Sequence, residues 1–123
     1  MKATELRIGN WVRLKGSDPI ENYQVTQILE RGVNCGAVGC LYDMVEPIPL
    51  TEEWLEKFGF QSDPYQDMYV KGWFKLNCDK TRGKLQLWPE NITGKVVYLE
   101  YVHQLQNLFC CLCNEELTIK ELA

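Results

Sequence analysis

The side chains best equipped for chemistry are concentrated in one stretch, YLEYVHQLQNLFCCLCNEELTI (98–119). It holds the chain's only histidine, His103, and three of its six cysteines, Cys110, Cys111 and Cys113. Imidazole nitrogen and thiolate sulfur are the donors zinc prefers, and Cys110 with Cys113 has the CxxC spacing of metal and redox pairs. The geometry of a helix works against a shared site. His103 and Cys110 stand two turns apart, about 10 Å along the axis, whereas zinc bonds are only about 2.0–2.3 Å long. Cys110 and Cys113 would need two further ligands, drawn from Cys35, Cys40 or Cys78, and Cys35-GAVG-Cys40 has no specific ligand spacing. Small packed thiols are the simpler reading, so no metal, cofactor or catalytic set is expected.

Other routes to catalysis are thinner. A Ser/His/Asp arrangement would have to use Ser17 or Ser62, both in turn-like sequence, and RGVNCGAVG lacks the lysine of a phosphate-binding loop. No HExxH, GxGxxG or nucleophile-elbow motif occurs. The aromatics are a richer resource. Trp73 and Trp88 form a candidate aromatic patch, with Lys71, Lys75, Lys80, Arg82 and Lys84 near them in sequence. Exposed, they would stack bases beside phosphate-binding cations. A net charge of -4, with 13 basic and 17 acidic residues, argues against general nucleic-acid binding, which carries a basic footprint.

At about 100° per residue, Glu100 to Asn114 forms an amphipathic helix. Tyr101, Val102, Leu105, Leu108, Phe109 and Leu112 gather on one side; His103, Gln106, Asn107 and Cys110 lie opposite. No charged residue occurs from Tyr101 to Asn114. A solvated helix face usually recruits charge, whereas a covered one favours uncharged groups that can be hydrogen-bonded. His103, Gln106, Asn107 and Cys110 are therefore the candidate interface, covered either by the rest of the fold or by a partner. Asn114 is placed to end the helix in a left-handed cap.

The elements that position this helix read as α+β. Residues 1–49 are expected to form a small bent β-sheet or SH3-like barrel, from LRIGNWVRL and YQVTQIL around the turn cluster GSDP, with NCGAVGC (34–40) a glycine-rich loop before a strand at LYDMVEPI. Residues 50–123 add a short central helix, a C-terminal antiparallel sheet and the amphipathic helix, the two parts packing as one compact unit. In IPLTEEWLEKFGF, Thr51 is the N-cap, Glu52 and Glu53 favour the helix dipole, and Leu50 and Leu55 have staple spacing. Gly59 suits the left-handed C-terminal position, with Phe60 folding back on Leu55. QSDPYQD (61–67) is expected to be a loop, and MYVKGWFKLN, GKLQLW and KVVYL three strands. The N-terminal stretch lacks a signal-peptide core and no apolar run is long enough to span a membrane. A cytoplasmic chain with reduced thiols is expected, in which the sequon at Asn91 would go unused.

LRIGNWV, IPLTEEWLEKFGF and YVHQLQNLFCCLCNEELTIK together resemble a family of small proteins from gut Bacteroidales genomes, their phages and integrated mobile elements. The family's end often carries Thr-Gly-Glu-Glu-Leu after an aromatic helix terminus; Phe109 to Asn114 depart from that pattern, which makes the cysteine cluster a local packing variant. The resemblance carries no catalytic residues. It implies a role in phage–host interplay, through a host protein or a signalling nucleotide. Together these readings favour a non-enzymatic binding or adaptor protein, acting on a protein partner or on itself as a homo-oligomer. The alternatives are a small-ligand or nucleotide sequestering module and a weak nucleic-acid-binding protein. No membrane association is expected.

Overall fold

The computed structural model describes residues 1–16, 22–63, 65, 67–80, 85–90 and 98–119. The fold is α+β, and the chain divides into two compact units: Met1–Pro49 with Tyr101–Asn107, and Leu50–Glu100 with Leu108–Ala123. Tyr101–Asn107, expected with the second part, thus belong to the first unit.

The first unit is built from two three-stranded antiparallel sheets. β1 (Trp11–Leu14) lies between β2 (Asn22–Gln24) and β6 (Val45–Glu46); β4 (Gly32–Cys35) lies between β3 (Gln27–Ile28) and β5 (Val38–Leu41). The strand expected over YQVTQIL is split at Val25-Thr26, where the chain leaves one sheet for the other. Both residues are hydrogen-bonded across the corner: Gly9 N–H donates to Val25 O (2.8 Å), Val25 N–H to Asn10 O (2.9 Å) and Thr26 N–H to Asn34 O (2.8 Å). Leu6, Val12, Val25, Val33, Cys35 and Val45 form the core of this unit.

NCGAVGC is not a loop. It supplies half of β4, a tight turn and most of β5. Gly36 (φ 65°) stands at the first central position of the turn, where two-residue hairpins of the II′ class need glycine. LYDMVEPI is likewise not one strand: Tyr42–Met44 form a 3-10 turn before the two residues of β6.

The second unit opens with α1 (Glu52–Lys57), whose ends match the sequence reading closely. Thr51 Oγ1 accepts from Trp54 N–H at 3.4 Å. Gly59 (φ 89°) N–H donates to Glu56 O (3.0 Å) and Phe60 N–H to Leu55 O (2.9 Å), the paired bonds of a Schellman end. A four-stranded antiparallel sheet follows, in the order β10-β9-β8-β7, from β7 (Gln61–Asp63), β8 (Met68–Lys71), β9 (Phe74–Asp79) and β10 (Gln86–Pro89). The loop expected at QSDPYQD is thus partly an edge strand. Its polar residues carry no alternation, and pairing with β8 specifies it instead. The KVVYL strand falls partly outside the described residues; Tyr98 and Leu99 are not strand, although Leu99 N–H donates to Leu87 O at 2.8 Å. On the buried face of the sheet, Phe74 meets Phe109 and Phe60 edge-on, with centroids 5.2 and 6.0 Å away. Phe109 belongs to α2 (Val102–Cys113), which packs on this sheet and ends at Asn114 with φ 55°, the expected left-handed cap.

Candidate functional site

At Gln106 and Asn107 the polar face of α2 is covered by residues 5–11 of the same chain. Gln106 is 0% exposed; its Oε1 accepts from Trp11 N–H at 2.8 Å and its Nε2 donates to Gly9 O at 2.9 Å. One side-chain carboxamide thus bonds to the backbone of residues i−1 and i+1 around Asn10, as the N–H and C=O of a single residue in a neighbouring parallel strand would. Asn107 Oδ1 accepts from Arg7 Nε (3.0 Å) and Asn10 Nδ2 (2.9 Å), while its Nδ2 donates to Glu5 O (3.1 Å). Arg7 Nη2 also donates to Gln106 O at 3.3 Å.

Asn10 and Arg7 are not among the site residues the sequence points to, since both lie within the β-like stretch LRIGNWVRL. Asn10 is fully buried and its Oδ1 accepts from Arg7 N–H at 2.6 Å, closing the turn. A Gly-Asn pair before a β-branched strand signals such a turn. Nothing local signals that the same asparagine reaches a residue nearly a hundred positions away.

His103 is 3% exposed and stacks on Tyr101, with ring centroids 6.0 Å apart and 16° between planes. Its Nδ1 is the one buried side-chain nitrogen or oxygen without a hydrogen-bond partner among the described residues. Burial holds the imidazole below the ordinary histidine pKa, opposed by the negative charge of Glu5. The folded chain therefore binds the proton less readily than the unfolded chain. The contribution of His103 to stability is complete above about pH 6.5 and is lost as pH falls below that value through the lower pKa of the folded state. Urea titrations between pH 7 and pH 5 should show midpoints falling with acidity, and the slope should flatten in His103→Gln. An unchanged slope in that variant would remove the histidine from the account.

Cys35 and Cys40 lie near one another on the β4–β5 hairpin, but the cysteines form no larger group among the described residues. Cys110 is half-buried and its carbonyl accepts from Asn114 N–H at 2.9 Å, while Cys111 is exposed. Burial is the main cause pushing the Cys35, Cys40, Cys78 and Cys113 thiols upward. A raised pKa leaves less thiolate, the nucleophilic and metal-binding form. Among the described residues, no group of three or more His, Cys, Asp or Glu is placed to hold a metal ion.

No family model, curated protein or solved structure matches this chain.

The two patch tryptophans sit in separate ring pairs. Trp73 occupies the β8–β9 turn, 55% exposed, with its ring on Phe74; Trp88 is half-buried on β10 against Tyr98, 5.8 Å away. Of the expected cations, Lys71 Nζ donates to Phe58 O at 2.8 Å and Lys80 pairs with Glu52, while Arg82 and Lys84 lie outside the described residues. A cleft of about 440 Å³ opens beside the β7–β8 turn, lined by Ser62, Asp63, Asp67, Tyr69, Cys78 and Lys80 among others. Burial, reinforced by a hydrogen bond to Glu52, pushes Tyr69 up to about 12. Hydrogen bonds from Lys80 and Tyr69 hold the Glu52 carboxyl below its usual range.

The exposed apolar side chains are unevenly spread. Of the nine large hydrophobic residues exposed in the described part of the chain, four (Leu29, Val38, Leu41 and Met44) fall within residues 29–44. Leu29 and Leu41 flank a shallow apolar groove whose floor includes Gly32 and Gly39. No helix of the described residues is long and apolar enough to cross a membrane.

Proposed function

We propose that this chain is a non-enzymatic binding or adaptor protein that acts through protein contacts, including contacts with itself. The observation that carries this reading is the exposed pair Leu29 and Leu41, which line one apolar groove, with Val38 and Met44 also exposed in the same stretch of chain. Exposed apolar groups gathered around a groove mark an interaction surface, whereas singly scattered ones need no explanation. The polar face of α2 supports the same choice by elimination: Gln106 and Asn107 already spend their amide groups on residues 5–11. The resemblance to proteins of gut Bacteroidales and their phages motivates a mobile-element setting, and with it a cytoplasmic site of action. The test compares the wild-type chain with a Leu29→Asp, Met44→Asp variant as bait in a Bacteroidales lysate. A protein retained by the first and lost by the second is the expected result; identical retained sets would overturn the reading.

A second reading, a small-ligand or nucleotide sequestering module, draws on the cleft beside Tyr69. Its mixed hydroxyl, carboxylate and ammonium lining offers the convergent polar groups that ligand sites use. Native mass spectrometry of the purified chain would show a retained small molecule, displaced in Tyr69→Ala. A weak nucleic-acid-binding role has only Trp73 as an exposed aromatic from the expected patch, so the first reading is preferred.

A further inference from the structure

We propose that two copies of this chain join edge to edge through β5, making one continuous antiparallel sheet from β3-β4-β5 and its symmetry mate. The proposal rests on the protein-contact reading above and names the partner: a second copy.

The hydrogen-bond pattern defines what β5 offers. Tyr42 N–H donates to Arg31 O, and Cys35 and Val38 face each other across the two-residue turn. On the other side of β4, Asn34 O accepts from Thr26 N–H and Gly32 O from Leu29 N–H. Antiparallel ladders alternate strictly. Cys35, Val33 and Arg31 therefore bond to Val38, Cys40 and Tyr42, and the backbone N–H and C=O groups of Gly39 and Leu41 point away from β4. No described strand pairs with that side.

The other edges in the described residues are unsuited to such pairing. β2 (Asn-Tyr-Gln) is mostly polar, β7 ends in Asp63, β3 and β6 are two residues long, and β10 has Leu87 O engaged by Leu99 N–H. Proteins usually blunt open edges with charge, proline or extreme shortness. β5, Val-Gly-Cys-Leu, has no charge and no proline.

The edge is also complementary to itself. An antiparallel pairing centred on Cys40 sets Gly39 opposite Leu41 of the second copy, twice, and uses all four outward groups. Leu41, 57% exposed, then lies on the same face as the facing Gly39, over the groove floored by glycine. Val38 is set level with Tyr42 of the second copy, and Asp43, the nearest charge in sequence, lies beyond the strand in the 3-10 turn. No like charges oppose one another. Cys40 faces its own copy as a non-hydrogen-bonded pair, with Cα atoms about 4.5 Å apart, inside the range a disulfide spans.

Sedimentation velocity from micromolar to millimolar chain should show a monomer–dimer equilibrium. Each substitution at Leu41 acts twice in a two-fold dimer, so Leu41→Glu should weaken association roughly a hundredfold with an unchanged circular dichroism spectrum. Leu41→Lys should do the same. Mixing the two variants should restore the dimer, because the two side chains lie diagonally about 7–8 Å apart. Diamide, which takes up the two protons and two electrons that a pair of thiols releases, should give a cross-linked peptide joining Cys40 to Cys40. A chain monomeric at every concentration overturns the proposal, as does a dimer that keeps its affinity in Leu41→Glu or yields no Cys40–Cys40 peptide. A monomeric chain that still captures one lysate protein sinks this dimer alone; a monomeric chain that captures none sinks the protein-contact reading as well.

Discussion

Gly32→Ala is expected to destroy the β3-β4-β5 sheet. A Cβ at Gly32 would stand 2.1 Å from Cys40 O, 2.9 Å from Cys40 C and 3.0 Å from Leu41 Cα. All three atoms are backbone, so no rotamer change relieves the clash, and β4 and β5 must part along their four-residue register. The loss should be about 4 kcal/mol or more, in the range reserved for a few severe mechanisms. Gly36→Ala is the matched control. Its Cβ would meet nothing within 4 Å, so only the left-handed φ of 65° is disturbed, worth about 1 kcal/mol. Urea unfolding of both variants, with amide exchange read at Val33 and Cys40, tests the difference. Equal losses at Gly32 and Gly36 would mean that the close approach of the strands is not what demands glycine.

Gln106→Ala should cost nearly as much, for another reason. The substitution leaves Trp11 N–H facing a void inside the first unit and removes one of the two donors on Gly9 O, the other being Gln24 Nε2 at 3.1 Å. A buried amide without a partner costs about 1–3 kcal/mol, and the cavity left by the side chain adds to it. A total of about 3 kcal/mol is expected, a large share of a typical domain's stability of about 5–15 kcal/mol. Gln106→Glu separates hydrogen bonding from volume. It keeps the size and the acceptor for Trp11 but turns the donor to Gly9 into a buried charge or a carboxylic acid, so its loss should grow as pH rises. A pH-independent loss in Gln106→Glu would show that filling the space, not pairing the backbone, is what Gln106 does.

Local elements were legible where local rules decide them. Thr51, Leu55, Gly59 and Phe60 define both ends of α1 without help from the rest of the chain, and Asn114 closes α2 in the same way. Glycine is where sequence and structure diverge most. Gly32, Gly36 and Gly39 look alike in the sequence as loop formers, yet Gly36 turns a hairpin while Gly32 and Gly39 sit inside its strands. A close backbone approach has no signature in composition. β7 was hidden for the opposite reason, since an edge strand of Gln, Ser and Asp carries no hydrophobic alternation. The polar face of α2 was recognised from its lack of charge. What covers it was not, because Arg7, Asn10 and Trp11 meet Gln106 and Asn107 only through tertiary folding.

The carboxamide of Gln106 has one more implication. Along β1, Arg13 pairs with Glu46, which would bring Trp11 level with Ile48, but Ile48 O accepts from Val102 N–H instead. Gln106 fills the rung that the departing strand leaves vacant. A plug of this kind acts on the chain's colloidal behaviour as well as on its fold: variants lacking it would expose an adhesive backbone at Trp11 while partly unfolded, and should precipitate at a lower temperature than the parent chain.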